Sequence, residues 1–266
     1  MNLRSFKKVI RNTIMVDIEY RFNYYMLILS TILTLIMEWA VFEHVFEGRQ
    51  NVGGLPASHA FAFVLFGMII RTVQVLWGKA SQMIDEVREG TFRRYLLQPI
   101  SHPLYFIAQA IGAKTNTFLA AIVICLVYKF AFDSPATFLS IDGLGPTFIS
   151  FTLSCLLLWM IYLCMVYASF YLEESQFLLL TLNISIGVFS GTVLPLSWLP
   201  DWLKIFLSYT PLPLLGDWPL RTALGLMPSA EFFHSLQLAT LWTAILAGLM
   251  AILYRRGLKR YEAFGG

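Results

Sequence analysis

Long apolar runs separated by short polar segments make up most of this 266-residue sequence, and their lengths predict its fold. The apolar runs cover residues 24–46, 60–77, 112–132, 148–171, 177–193 and 236–254. A helix rises about 1.5 Å per residue, so runs of roughly this length suit a hydrocarbon core that is about 30 Å thick. We therefore predict an all-α polytopic membrane protein with six transmembrane helices in a single domain, residues 1–266.

Two segments depart from the pattern of simple spans. From Leu3 to Tyr20, basic and apolar residues alternate at helical spacing, which predicts an amphipathic helix at the membrane interface. Between residues 191 and 231, six prolines lie among three tryptophans and many leucines. Because proline interrupts helices and indole rings favour the membrane interface, we expect short re-entrant or interfacial helices there instead of a seventh span.

The composition agrees with a membrane protein and narrows the chemistry. Hydrophobic residues make up 58% of the chain and charged residues 13%, whereas a soluble domain carries about 25% charged residues. The histidines show no metal-binding spacing, and the sequence has no G-x-x-x-x-G-K-[ST] phosphate-binding loop. We expect no catalytic residue, metal site or cofactor in this chain, and its net charge of +3 does not indicate nucleic acid binding.

The basic residues predict the orientation of the spans. Thirteen lysines and arginines lie on one side of the predicted membrane and four on the other. Those on the richer side are Arg4, Lys7, Lys8, Arg11, Arg21, Lys79, Arg88, Arg93, Arg94, Arg255, Arg256, Lys259 and Arg260. Because cytoplasmic loops carry the excess of positive charge, we expect a multi-pass protein of a bacterial-type inner membrane, with both termini in the cytoplasm.

A few polar residues lie within the predicted spans. Glu38 and Arg71 are at similar depths in the first two spans, so they are able to pair. A structural ion pair and a role in substrate binding or gating are both open, because charges inside a membrane are costly unless they are paired or hydrated. For Asn183, a hydrogen bond between neighbouring helices is the simpler interpretation.

The charged stretch between the second and third spans carries a family resemblance. Residues 86–99, Glu-Val-Arg-Glu-Gly-Thr-Phe-Arg-Arg-Tyr-Leu-Leu-Gln-Pro, resemble the corresponding segment of type 2 ATP-binding-cassette (ABC-2) exporter permeases. The Ser190-Gly191, Leu194-Pro195 and Leu199-Pro200 pairs and the tail from Arg255 are similar to further segments of that family. Phe92 and Tyr95 stand where leucine is commoner.

The resemblance implies a mechanism and partners. Two permease subunits, identical or different, would face each other in membrane lipid above a separate ATPase dimer that holds ATP and Mg²⁺. A coupling helix within residues 81–97 would contact that ATPase, and the proline-rich segment would provide an outer gate at Gly191, Pro195 and Pro200. The coupling residues would be Glu86, Arg88, Glu89, Gly90, Thr91, Phe92, Leu96 and Leu97.

A different class of protein is also open from the sequence. A stand-alone carrier or scramblase would have similar apolar spans but no ATPase partner. Secondary carriers often have helices broken near the membrane midplane, whereas the prolines here cluster after the fifth run, which favours the exporter. The cargo is not indicated by any residue pattern.

Overall fold

The computed structural model of the protein describes residues 3–19, 21–97, 101–131 and 141–264. These ranges contain twelve α-helices and one small hairpin. The helices are α1 (Leu3–Glu19), α2 (Arg21–Phe46), α3 (Ala57–Gln74), α4 (Trp77–Arg88), α5 (Arg93–Leu96), α6 (His102–Ala131), α7 (Ile141–Ala168), α8 (Ser175–Phe189), α9 (Asp201–Ser208), α10 (Leu212–Leu215), α11 (Asp217–Ala223) and α12 (Ser229–Phe264). The hairpin pairs β1 (Asn51–Val52) with β2 (Leu55–Pro56) in antiparallel register. The predominantly helical fold is confirmed, with this hairpin as the one addition among the described residues.

Five segments are long and apolar enough to cross a membrane. They are Ile28–Phe46, Ala57–Arg88, His102–Tyr128, Asp142–Ala168 and Ser229–Tyr261. The fifth predicted run forms α8, which has 15 residues and is therefore about 22 Å long. It ends at Phe189 because Gly191, two residues later, has a φ of +85° that a helix cannot accommodate. A multi-pass membrane protein is thus supported, and the count of six spans stays a prediction.

Three helices differ in length from the approximate runs that the sequence predicts. The second run is expected to reach about residue 77, whereas α3 ends at Gln74 because Val75 is extended, with ψ of 124°. The third run begins at His102, ten residues before its predicted start. The helix α6 continues through the polar stretch at Lys114. The Lys114 ammonium donates to the backbone oxygen of Thr72 on α3, at 2.9 Å, so its charge has a partner within the bundle. The last run extends from Ser229 to Phe264.

The amphipathic helix predicted at the N-terminus is present as α1 and packs on α6. A Cβ atom at Gly112 of α6 would lie 2.7 Å from Cβ of Thr13 and 2.9 Å from the backbone oxygen of Ile10. The missing side chain at Gly112 therefore lets the two helices approach closely. The position of α1 at a membrane interface stays a prediction.

The centre of the protein is α7, which packs against α12, α11, α4 and α8. Leu157, Leu163, Val166 and Tyr167 of this helix are almost completely buried. By contrast, α2 exposes large apolar side chains along most of its length, including Met37 and Ile36. Such a surface needs lipid or another apolar partner around it.

Two ends of the bundle are distinct. The α4 end comprises α4, α5, the start of α6, the end of α7 and the end of α12, which share one hydrophobic cluster. The hairpin end comprises the end of α2, the hairpin, the start of α3 and α11, which share a second cluster. We call residues 190–228, which lie between α8 and α12, the proline-rich segment.

Candidate functional site

The α4–α5 segment, residues 77–97, has a buried face and an exposed face. Ala80, Met83, Ile84 and Val87 recur at helical spacing along α4 and are buried in the cluster that includes α7. The chain then turns at Gly90, whose φ of +77° is readily adopted by glycine alone. This pattern anchors α4 on the bundle while its other face is turned outward.

Glu86 holds the turn between α4 and α5 from the inside. Its carboxylate accepts hydrogen bonds from Gln82 Nε2 (2.9 Å) and the Tyr95 hydroxyl (2.5 Å), and it is paired with Arg94. Burial raises the pKa of Tyr95, so its hydroxyl keeps the proton that it donates to Glu86. Separately, the backbone nitrogen of Phe92 donates to the backbone oxygen of Glu86, at 3.0 Å. Glu86 therefore positions the turn and is itself only 7% exposed.

Phe92 requires a correction, because its predicted role as an apolar contact for a partner is not compatible with its position. The ring is fully buried and packs against His102, Phe170 and Tyr261, with centroid distances of 4.7, 5.3 and 6.1 Å. These rings belong to the start of α6, the turn after α7 and the end of α12. Phe92 thus joins the α4–α5 segment to three other parts of this chain, and Glu86 is likewise too enclosed for direct contact.

The remaining predicted coupling residues are open to a partner. Leu97 is 87% exposed and Leu96 is 39% exposed. Arg88, Glu89 and Thr91 are exposed, and Gly90 is half-buried at the turn. We call the exposed set the docking face: Arg88, Glu89, Thr91, Arg93, Leu96 and Leu97. Pro99, which the family resemblance included, lies outside the described residues.

A second contact fixes α4 to the start of α8. The Ser81 hydroxyl donates to Gln176 Oε1 at 3.0 Å. In return, Gln176 Nε2 donates to the backbone oxygen of Ser81 and to Asp85 Oδ1, both at 2.9 Å. Three neighbouring hydrogen bonds between the two helices make relative sliding costly, since each lost bond leaves a polar group to be satisfied elsewhere.

Glu38 and Arg71 form an ion pair between α2 and α3. Arg71 Nη2 lies 2.6 Å from Glu38 Oε1 and 2.8 Å from Oε2, and both side chains are about one-fifth exposed. Arg71 Nη1 is buried without a hydrogen-bond partner among the described residues. Asn183 accepts a hydrogen bond from the Tyr162 hydroxyl at 2.7 Å, which joins α8 to α7. The geometry agrees with the structural interpretation of both sites, and a role in transport stays untested.

The proline-rich segment is packed through backbone contacts at glycines. A Cβ atom at Gly67 of α3 would lie 2.4 Å from the Thr192 oxygen, and one at Gly216 would lie 2.6 Å from the Ser190 oxygen. At Gly191, a Cβ atom would lie 2.7 Å from Cβ of Asp217. Pro195 and Pro200 precede a 3-10 turn (Leu196–Trp198) and α9, respectively. Two of the predicted gate residues, Pro195 and Pro200, therefore directly precede short elements of this segment, and Gly191 lies in the bend after α8.

A cavity of about 490 Å³ adjoins this segment at the hairpin end. Its lining includes Pro195 and an ion cluster in which Arg221 Nη2 lies 3.0 Å from Glu231 Oε2 and Arg221 Nη1 lies 3.6 Å from Asp217 Oδ2. The cluster joins α11 to the first turn of α12. A second cavity, of about 310 Å³, lies between α3, α6, α7 and α11 and has almost entirely apolar walls.

Several residues that organise these sites were missed from the sequence. Tyr95 lies in the segment that carries the family resemblance but at a position where leucine is commoner, His102 carries no motif, and Ser154 lies in the predominantly apolar run of α7. Gln74 is visible only as a polar interruption near the end of the second run. Among the described residues, no group of three His, Cys, Asp or Glu side chains is arranged to hold a metal ion.

A known protein family includes sequences similar to this chain. A family model described as "ABC-2 family transporter protein" matches residues 28–265, nearly the whole chain. A search of curated proteins found no match.

Proposed function

The chain belongs to the ABC-2 transporter family, and from that premise we propose that it is the membrane subunit of an exporter driven by a separate ATPase dimer. The observation that carries the proposal is the two-faced α4–α5 segment, with an exposed docking face and a buried face packed on the core of the bundle. ATP and Mg²⁺ would be bound by the ATPase. The chain would face a second permease subunit, identical or different, in the membrane lipid.

The docking face suits a protein partner in both its apolar and its charged side chains. Burial of exposed Leu97 would contribute affinity at about 25 cal/mol per Å² of apolar area. Exposed charges such as Arg93 add less, about 0 to 1 kcal/mol each, and mainly select the partner and speed its association. The exposed leucines would therefore supply most of the affinity for the ATPase, and the exposed charges would select it over other partners.

The buried residues would transmit the movement of a docked ATPase. Glu86 locks α5 to α4, and Phe92 contacts the parts of α6 and α12 that enter the membrane. A displacement of the docking face would therefore move these helices as a unit, because tightly packed side chains do not deform continuously. ATP binding would favour one of two arrangements through its different affinity for them.

We assign the α4 end to the cytoplasm, with both chain termini, in a bacterial-type inner membrane. Gly191, Pro195 and Pro200 would then lie on the outer side, where the proline-rich segment closes over the cavity of about 490 Å³. This position supports a role as the outer gate. Export follows from this orientation only if the cargo enters from the α4 end, which the family resemblance favours.

A charge-reversal pair tests the proposal. Arg93→Glu alters the docking face, while Arg49→Glu alters an exposed arginine that follows α2 at the opposite end. The tagged chain would be purified from native membranes in a mild detergent, and vanadate-sensitive ATP hydrolysis measured per mole of chain. We expect wild type and Arg49→Glu to retain the activity, and Arg93→Glu to lose most of it at equal yield, because the reversed charge also repels the partner group that the arginine would face, at a cost of several kcal/mol. A wild-type chain without associated ATP hydrolysis would instead favour a stand-alone carrier or scramblase.

A further inference from the structure

The break between α3 and α4 is tied to the proline-rich segment by a short chain of buried hydrogen bonds. Gln74, the last residue of α3, donates from Nε2 to the Ser154 hydroxyl of α7 at 2.6 Å. The Ser154 hydroxyl in turn donates to the backbone oxygen of Leu215 at 2.6 Å. Gln74 is 3% exposed and Ser154 is fully buried. Two side chains thus connect three separate elements.

Both ends of this hydrogen-bonded chain are places where the backbone leaves a helix. The backbone oxygen of Gln74 accepts a hydrogen bond from Trp159 Nε1 at 3.1 Å, and the next residue, Val75, is extended. Leu215 is the last residue of α10, and Gly216 follows with φ of −136°. Carbonyl groups at helix ends lack intrahelical partners, so Ser154 and Trp159 supply them. The bonds are therefore part of how the two breaks are stabilised.

The chain continues from Leu215 into the proline-rich segment through the backbone. Gly216 lies against Ser190, with no room for a side chain, and the Asp217 nitrogen donates to the Ser190 oxygen at 2.6 Å. Ser190 adjoins Gly191, where the segment turns. A shift of the backbone at Leu215 would consequently displace the residues at the start of the segment, near Ser190, as well as α10.

We infer that Gln74 and Ser154 are positioning residues that make the arrangement of the proline-rich segment depend on the arrangement of the α3–α4 break. The inference rests on the proposed function for its physiological meaning, since the α4–α5 segment is where the ATPase would act. The dependence itself is a property of this chain alone. A displacement of Gln74 at the break would withdraw the donor from the Ser154 hydroxyl, which would then be free to turn away from the backbone oxygen of Leu215.

The first test uses the purified full-length chain without nucleotide. Hydrogen exchange of backbone amides would be compared in wild type, Gln74→Met, Ser154→Ala and the double variant. Among the described residues, the side chain of Gln74 reaches the proline-rich segment through its hydrogen bond to Ser154, so we expect an effect of Gln74→Met there to depend on Ser154. Gln109→Met and Ser185→Ala are matched controls, because their side-chain groups bond within their own helices, to Tyr105 and to the Thr181 oxygen.

We expect Gln74→Met to raise exchange at residues 212–224 about threefold, the effect of about 0.6 kcal/mol, which is the average for hydrogen bonds between membrane helices. Ser154→Ala should give a similar rise, and the double variant no more than Ser154→Ala alone. Exchange in α12 should be unchanged. A Gln74→Met variant with wild-type exchange at 212–224, additive effects in the double variant, or an equal rise throughout α12 would overturn the inference.

The second test uses the complex with its ATPase, if wild type carries vanadate-sensitive hydrolysis. Trapping with ATP and vanadate should change exchange at residues 212–224 in wild type and in both controls. Gln74→Met should reduce that change about threefold while hydrolysis stays within about twofold of wild type. An unaltered change in Gln74→Met contradicts the inference. Absence of hydrolysis in wild type contradicts the proposed function, and the first test still decides the inference.

Discussion

The α4 end and the proline-rich segment pack in different ways. At the α4 end, large side chains hold the turn, with Glu86 at the centre of a polar network and Phe92 within a group of aromatic rings. Where the proline-rich segment meets α3, and where it folds back on itself, its backbone lies against Gly67 and Gly216. Close packing of either kind leaves little room for independent movement, but at these glycines even one added methyl group would meet backbone. The comparison therefore predicts that truncation is most costly at the α4 end and that enlargement is costly at the glycines.

The largest effect is expected from Phe92→Ala at the α4 end. Truncation of a fully buried phenylalanine costs about 3 to 5 kcal/mol, since both contacts and packing volume are lost. The midpoint temperature of detergent-solubilised protein, followed by size-exclusion chromatography after heating, should fall sharply. Phe177→Ala, on the exposed face of α8, is the control and should leave the midpoint within a few degrees of wild type. Equal effects from the two variants would mean that Phe92 is not in the core.

The next effect is expected from Gly67→Ala, where α3 meets the proline-rich segment. The added methyl group would meet the Thr192 backbone oxygen at 2.4 Å, and overpacking of this kind costs about 1 to 3 kcal/mol. Gly187→Ala is a matched control, because it also lies within a helix but has open space at the Cβ position. The control should be neutral or more stable, by up to about 1 kcal/mol from helix propensity. A stable Gly67→Ala protein would show that the segment does not pack against α3.

The aromatic contact at the hairpin should give the smallest effect. Trp198 donates from Nε1 to the Val52 oxygen at 3.0 Å and stacks on Phe42 at a centroid distance of 5.4 Å. Trp198→Phe keeps an aromatic ring and loses the hydrogen bond, so we expect a cost of about 0.5 to 1.5 kcal/mol in thermal stability. Trp202→Phe, at an exposed position on α9, should cost less. A larger loss of stability from Trp202→Phe than from Trp198→Phe would contradict a stabilising contact between Trp198 and the hairpin.

The long helices and the family can be predicted from the sequence, whereas the helix break at Val75 and the burial of Phe92 cannot. The long helices follow from apolar length, and the family follows from residues 86–99, 190–200 and the tail. The break at Val75 was not predicted, because nothing in the local sequence marks it and its stability depends on distant Trp159. The family resemblance implies a coupling role for Phe92 at the ATPase contact, whereas in the folded chain Phe92 follows the turn at Gly90 and is fully buried.

The glycine contacts were also beyond prediction from sequence. Gly67 lies within an ordinary helical run, and Gly216 lies near prolines that suggest a loop. Which oxygen each glycine faces depends on how α3, α10 and the start of the proline-rich segment are brought together. Patterns of hydrophobicity fix lengths and faces of helices but not the pairing of such distant backbones.

Contact between the docking face and an ATPase is what the proposed function requires. A photo-crosslinking amino acid would be placed at Leu97, with Ile205 of the proline-rich segment as the exposed control, and native membranes would be irradiated. We expect Leu97 to crosslink to a protein that retains binding of a radiolabelled ATP analogue, and Ile205 not to do so. Crosslinking of the ATP-binding protein through Ile205 alone, or to lipid alone at both positions, would contradict this contact.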